Sequence, residues 1–158
     1  MGSDVERAGA GVITGTRRAL VEACRTATLA TVAADGRPRL VPICFVLDQA
    51  GRMVSTPLDD KPKRGRDPRD LARVRDIRSR PGVALLFERY SEDWTQLAWV
   101  RVGGRADLLE PDAGAVHAAV VVALRAKYPQ YRVHDLDRSP LIQIVVADVT
   151  GWSAAVTP

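Results

Sequence analysis

The first feature with chemical consequences is a pair of hydroxyls followed by cations. Ser55-Thr56-Pro57 leads into Lys61-Pro62-Lys63-Arg64. Hydroxyls, loop amides and ammonium groups gathered in one place make a phosphate pocket. Each charge-assisted hydrogen bond there contributes about 1.5–3 kcal/mol. The same composition also describes a solvated basic loop ahead of an arginine-rich helix, and the residues alone leave both readings open. From Lys61 to Arg80 there are nine Lys or Arg and three Asp, a local charge of +6 in a chain of net +4. Such a patch suits an anion: a phosphate-bearing cofactor, nucleic acid or solvent counterions. The second feature is Trp94-Thr95-Gln96-Leu97-Ala98-Trp99-Val100-Arg101. Strand alternation puts Leu97, Trp99 and Arg101 on one face, with Trp94 near the start. Two tryptophans and an arginine can wall a flat aromatic ligand. Equally, Trp99 can be a core residue and Trp94 the cover of a loop.

Conventional catalytic groups are scarce. His117 lies among alanines and valines and reads as an ordinary helix residue, and His134 has no cysteine or acidic cluster at ligand spacing. No metal site is expected. There is no nucleophile-elbow pattern around any serine. Cys24 and Cys44 make no disulfide or metal pattern and read as reduced, buried thiols. Gly9-x-Gly11-x-x-x-Gly15 is not preceded by a strand, so it lacks the context of a dinucleotide loop. The basic stretch is not interleaved with aromatics as a single-strand nucleic-acid platform requires, so no nucleic-acid partner is expected. No catalytic side chain can be named. If the chain is an enzyme, a bound cofactor supplies its reactivity.

These residues need elements to position them. The chain has 158 residues, 46% hydrophobic and 27% charged, a globular balance for one domain. Residues 1–13 read as a flexible N-terminal tail and 14–158 as a single domain. No apolar run is long enough to span a bilayer and no secretory signal is visible, so a cytoplasmic protein without membrane contact is expected. Leu20, Val21 and Cys24 recur at helical spacing within Thr16–Ala27. The period then changes to strands: 28–34, a hairpin at Asp35-Gly36, then 38–47 and 52–56. Pro42 cannot donate to a ladder, which predicts an edge or a bulge. Asp67 caps a helix with Pro68 at its first position and Leu71, Val74 and Ile77 as its apolar stripe. Strands 83–87 and 96–109 follow, with Gly103-Gly104 marking a bulge. A helix ending near Lys127 and a last strand at 141–149 complete the chain. Six strands joined mostly by hairpins predict a mainly β (α+β) fold, an antiparallel sheet closing as a small barrel with flanking helices.

The ordered run of segments carries a resemblance. It comprises Ala27-Thr28-Leu29-Ala30-Thr31-Val32, Asp35-Gly36-Arg37-Pro38, Val41-Pro42 and Val54-Ser55-Thr56 with Lys61-Pro62-Lys63. Asp70–Ile77, Arg80-Pro81-Gly82-Val83-Ala84-Leu85 and Trp99-Val100-Arg101-Val102-Gly103-Gly104-Arg105-Ala106 follow. Over nearly all of residues 16–153 this resembles the pyridoxamine-5′-phosphate-oxidase-like split β-barrel flavoproteins. It is similar more narrowly to their actinobacterial branch that uses the deazaflavin coenzyme F-420. The resemblance implies a six-stranded FMN-binding split barrel and a homodimer with cofactor sites at the subunit interface. It implies a phosphate site at Ser55, Thr56, Lys61 and Lys63, with Arg64 and Arg66 near the coenzyme's acidic tail. Pro42 and Ile43 would lie along the deazaflavin ring, with Trp94, Trp99 and Arg101 near the site, some contributed by the other subunit. The implied activity is hydride transfer from reduced coenzyme F-420 to an electron-poor small-molecule acceptor. An FMN-dependent oxidoreductase of the same fold, and a non-catalytic coenzyme- or haem-binding module, are the alternatives. The terminal Gly151-Trp152-Ser153 segment lacks the arginine that helps vitamin B6 oxidases hold substrate, which argues against that activity.

Overall fold

The computed structural model describes residues 6–8, 11–58 and 67–155. Its elements in chain order are β1 (Glu6–Ala8), α1 (Gly15–Ala23), β2 (Ala27–Val32), β3 (Pro38–Ile43), β4 (Val46–Leu47) and β5 (Met53–Pro57). Then come α2 (Ala72–Ser79), β6 (Gly82–Arg89), β7 (Ala98–Leu109), α3 (Ala115–Lys127) and β8 (Leu141–Ser153). The strands make one antiparallel sheet in the order β3-β2-β6-β7-β8-β5-β4, with β1 added on β8. The ends of this path, β3 and β4, are separated in sequence only by Cys44 and Phe45. Three Cα–Cα steps cannot span more than roughly 11 Å, so the sheet must curl until its ends meet. That is a split barrel, because the chain link closes it where no ladder does.

The expected six strands are corrected to seven along the path plus β1. The stretch 38–47, expected as one strand, bends at Cys44-Phe45 and pairs β2 before the bend and β5 after it. Pro42 is tolerated because β3 pairs on one side only, with β2. Within residues 1–13, expected as a tail, Glu6–Ala8 pairs with β8 and Ile13 is fully buried. The hairpin after β2 also differs from expectation. Only Gly36 takes positive φ (+86°), Gly36 N donates to Ala33 O (2.8 Å) and Ala33 N to Arg37 O (2.9 Å). This is a three-residue loop with a glycine bulge, not a turn with two left-handed centres.

The expected bulge in β7 is present: register shifts between Gly103 and Gly104. A Cβ on Gly104 would lie 2.7 Å from both Ile144 Cγ2 and Val145 O, so the crossing with β8 leaves room only for hydrogen. The barrel interior holds Leu29, Phe45, Leu85, Phe87, Val102 and Ile144. Helix α1 inserts Leu20 and Val21 into it, and α2 inserts Val74 and Ile77. A second cluster outside the barrel gathers Val121 and Leu124 of α3 with Tyr128, Tyr131 and Leu141. His117 is buried here and its Nε2 donates to Ser139 O (2.8 Å). No described helix is long and apolar enough to cross a membrane.

Candidate cofactor site

Asp67 positions the end of the basic loop. Its carboxylate accepts from Arg69 N (2.9 Å) and caps a short turn at Pro68–Asp70, but the helix expected to run on from Pro68 is interrupted by an extended Leu71 and starts at Ala72. Arg69 in turn bridges Asp67 (3.1 Å) and Glu110 (2.6 Å). The Arg69 backbone amide, then its guanidinium, holds the Asp67 carboxyl below the usual range, and the Arg69 side chain does the same for Glu110. One cation of the +6 patch is therefore committed to its own fold. Helix α2 is fixed from the other side. Thr31 Oγ1 donates to the buried Asp76 (2.8 Å), and Arg39 pairs with the same carboxylate (3.0 Å).

Lys61, Lys63, Arg64 and Arg66 lie outside the described residues. The two hydroxyls before them part company. Ser55 lines a groove of about 590 Å³ between α3 and strands β4, β5 and β8, together with Val46, Leu47, Met53, Val120 and Gln143. Thr56 alternates to the opposite face, is 1% exposed, and donates to Pro57 O (3.4 Å). Its hydroxyl is therefore turned away from that groove, whereas Ser55, itself 3% exposed, lines it.

Trp99 and Arg101 line a second groove of about 510 Å³ with Thr28, Leu40, Ala84 and Leu86. It lies on the outer face of β3-β2-β6-β7. The registers Pro42↔Thr28, Thr28↔Leu86 and Leu86↔Arg101 set these residues in one row across four strands. Leu40 is 71% exposed on this face, beside the polar Thr28, Glu88 and Arg101. Arg101 is exposed and has no ion-pair partner among the described residues. Pro42 belongs to this row, but Ile43 alternates inward and is 5% exposed, part of the core. Ile43 therefore cannot touch a ligand on the outer face. Trp94, 71% exposed on a short turn capped by Asp93, lines neither groove.

Sequence reasoning missed Trp152. It pairs with Trp99 across β7 and β8, and both line a smaller groove of about 370 Å³ with Arg17 and Arg89. Only the register brings these residues together, and no short-range spacing signals it.

The two groups of predicted residues are far apart in one chain. Ser55 pairs with Gln143, which pairs with Asp107. From Asp107 it is six residues along β7 to Arg101 and eight to Trp99. At 3.3 Å per residue this is about 20 and 26 Å along the strand. A single copy does not bring the hydroxyl and the aromatic wall to one ring-and-phosphate ligand.

The pyridoxamine 5′-phosphate oxidase family model matches residues 13–154. The chain belongs to this family. No curated protein matches it. Solved structures resemble it in fold. The conserved hypothetical protein Rv2991 of Mycobacterium tuberculosis is 20% identical, with TM-score 0.68, covering 92% of this chain and 89% of the other. An FAD-binding protein of Mesorhizobium loti is 18% identical, with TM-score 0.63 and coverage of 85% and 89%. The haem storage protein HutZ of Vibrio cholerae is 15% identical, with TM-score 0.60 and coverage of 91% and 99%. At these identities the likeness extends to the fold.

Proposed function

We propose that this family member is an oxidoreductase that works as a homodimer. In this reading it uses the deazaflavin coenzyme F-420 to pass hydride to an electron-poor small-molecule acceptor. The observation that carries the reading is the separation just described. Ser55 and the Trp99–Arg101 wall face two grooves roughly 20 Å or more apart along the strands. The exposed Leu40 side chain stands at the second groove. Docking a second copy on that face joins one copy's hydroxyl and cationic loop to the other's aromatic wall.

A bound deazaflavin supplies the hydride. The chain's own groups hold and orient. Ser55, Lys61 and Lys63 meet the phosphate, Arg64 and Arg66 the acidic tail, and Pro42 and Trp99 the planar ring. Arg101, which lines the same groove as Trp99, faces the acceptor and polarises it. Burial of the Trp99 face under a partner excludes water from the transfer.

Two fold relatives are named for FAD binding and haem storage, which keeps a flavin enzyme or a binding module as the second reading. Fluorescence titration of the purified protein with coenzyme F-420, FMN and haemin separates the three. The proposal expects saturable F-420 binding at least tenfold tighter than FMN. Tighter FMN or haemin binding overturns it. Steady-state oxidation of reduced coenzyme F-420 with a panel of enones and quinones then tests for turnover. Leu40→Asp is expected to convert the dimer to monomer in sedimentation velocity and to weaken coenzyme binding by about tenfold or more, because a buried unpaired carboxylate is costly. A Leu40→Asp protein that stays dimeric with unchanged affinity removes that face from the interface.

A further inference from the structure

Apart from Trp99, no residue of the groove of about 370 Å³ beside Trp152 has a role in the coenzyme site. This groove lies at one end of the barrel. There β6 ends at Arg89, β7 begins at Ala98 and β8 ends at Ser153, and the register sets these three residues side by side. The next pair along the two long strands is Trp99 and Trp152. Helix α1 brings the half-buried Arg17 to the same place. Gly151 leaves room for it, because a Cβ there would stand 3.1 Å from Arg17 Nε.

The lining combines cations, hydroxyls and aromatic surface. Arg89 Nε donates to Gln96 O (2.7 Å), which fixes the plane of its guanidinium. A guanidinium has five N–H donors, so Arg17 and Arg89 can each serve the fold and still present N–H groups to a ligand. No Asp or Glu is among the described residues that line the groove, and the first turn of α1 carries none. Ser153 Oγ accepts from Ala155 N (3.3 Å) and keeps its own proton to donate. Leu20, Ala98 and Val100 supply an apolar floor.

These groups select a ligand class. The planar fork of an arginine matches the two oxygens of a carboxylate. Two indoles give a broad π surface on which a flat ring stacks better than a puckered one. The volume is at the low end of ligand pockets, which run from roughly 300 to 1,000 Å³. It suits one ring with a short acidic arm, and it is too small for a coenzyme with ring, phosphodiester and tail.

We propose that this groove is a binding site for a small planar carboxylate, an aromatic or conjugated acid. The carboxylate meets Arg89 and Ser153, the ring lies against Trp99 and Trp152, and Arg17 flanks it. The site stands on the groove itself and not on the choice of coenzyme.

Isothermal titration of the coenzyme-free protein tests this with cinnamate as the probe. Cinnamamide is the uncharged counterpart and 3-cyclohexylpropanoate the non-planar acid. The proposal expects saturable binding of one cinnamate per chain, with quenching of tryptophan fluorescence, and at least tenfold weaker binding of the other two. Arg89→Gln, at an exposed position, should weaken cinnamate at least tenfold and leave cinnamamide unchanged. Arg132→Gln removes the same charge at an exposed position outside the groove and should change neither. Circular dichroism checks that both variants are folded. Absence of saturable cinnamate binding overturns the proposal. So does equal affinity for the three probes, or an unchanged cinnamate affinity in folded Arg89→Gln. Because no coenzyme is present, these outcomes are separate from those of the coenzyme titration.

Discussion

Replacing both Lys61 and Lys63 by alanine is expected to weaken coenzyme F-420 binding about 100-fold or more, with the melting temperature unchanged. Each lysine is expected to make a charge-assisted bond to the phosphodiester, contributing roughly 1.5–3 kcal/mol, so loss of two multiplies to between about two and four orders of magnitude. Arg69 cannot replace them. It is held by Asp67 and Glu110, and moving it would leave two carboxylates without their partner. Raised salt should weaken the wild type more than the double variant, because two ammonium groups contribute to the screened attraction. Isothermal titration at two ionic strengths checks both statements. Equal affinity of the two proteins moves the phosphate site away from the basic loop.

Phe45→Ala is expected to destabilise the fold by about 3–5 kcal/mol and to lower the melting temperature by roughly 10 °C. Phe45 is fully buried and meets Phe87 edge to face at 4.8 Å between ring centres. Its backbone N–H and C=O both bond the Tyr128 hydroxyl (3.0 Å each). One residue therefore fills the barrel, ties β3 to β4 and anchors the end of α3. Removing the ring leaves a cavity at the two-residue link that joins the sheet ends β3 and β4. Val133→Ala, at a residue 89% exposed, serves as the control and should change stability by no more than about 0.5 kcal/mol. Urea unfolding of both variants distinguishes a closing residue from ordinary core. A Phe45→Ala loss below about 1 kcal/mol would show that the split barrel closes without it.

Much of the fold was legible because local chemistry and burial agree. A strand is expected over 28–34, and the structure has one at Ala27–Val32 with Ala27, Leu29 and Thr31 buried. Asp67-Pro68 opens a helical turn because one side chain accepts an orphan amide and the other lacks one to satisfy. Gly103-Gly104 marks the bulge because only hydrogen fits beside Ile144 and Val145. The site was less legible. Ser55 and Thr56 are adjacent in a basic context and look equivalent, yet a period of two sends one hydroxyl into a groove and the other into the interior. Ile43 fails for the same reason next to Pro42.

By itself, the order of strands, hairpins and charges determined the family's barrel and the run of cations between Lys61 and Arg80. These are properties of neighbours in the chain, expressed over a few residues. Tertiary structure alone decided the pairing of Trp99 with Trp152, the meeting of Lys127 with Phe45, and the distance between Ser55 and Arg101. Those depend on register between strands remote in sequence and on the closure of a curled sheet. No local pattern encodes a contact whose partners are joined only through long-range hydrogen bonding and packing.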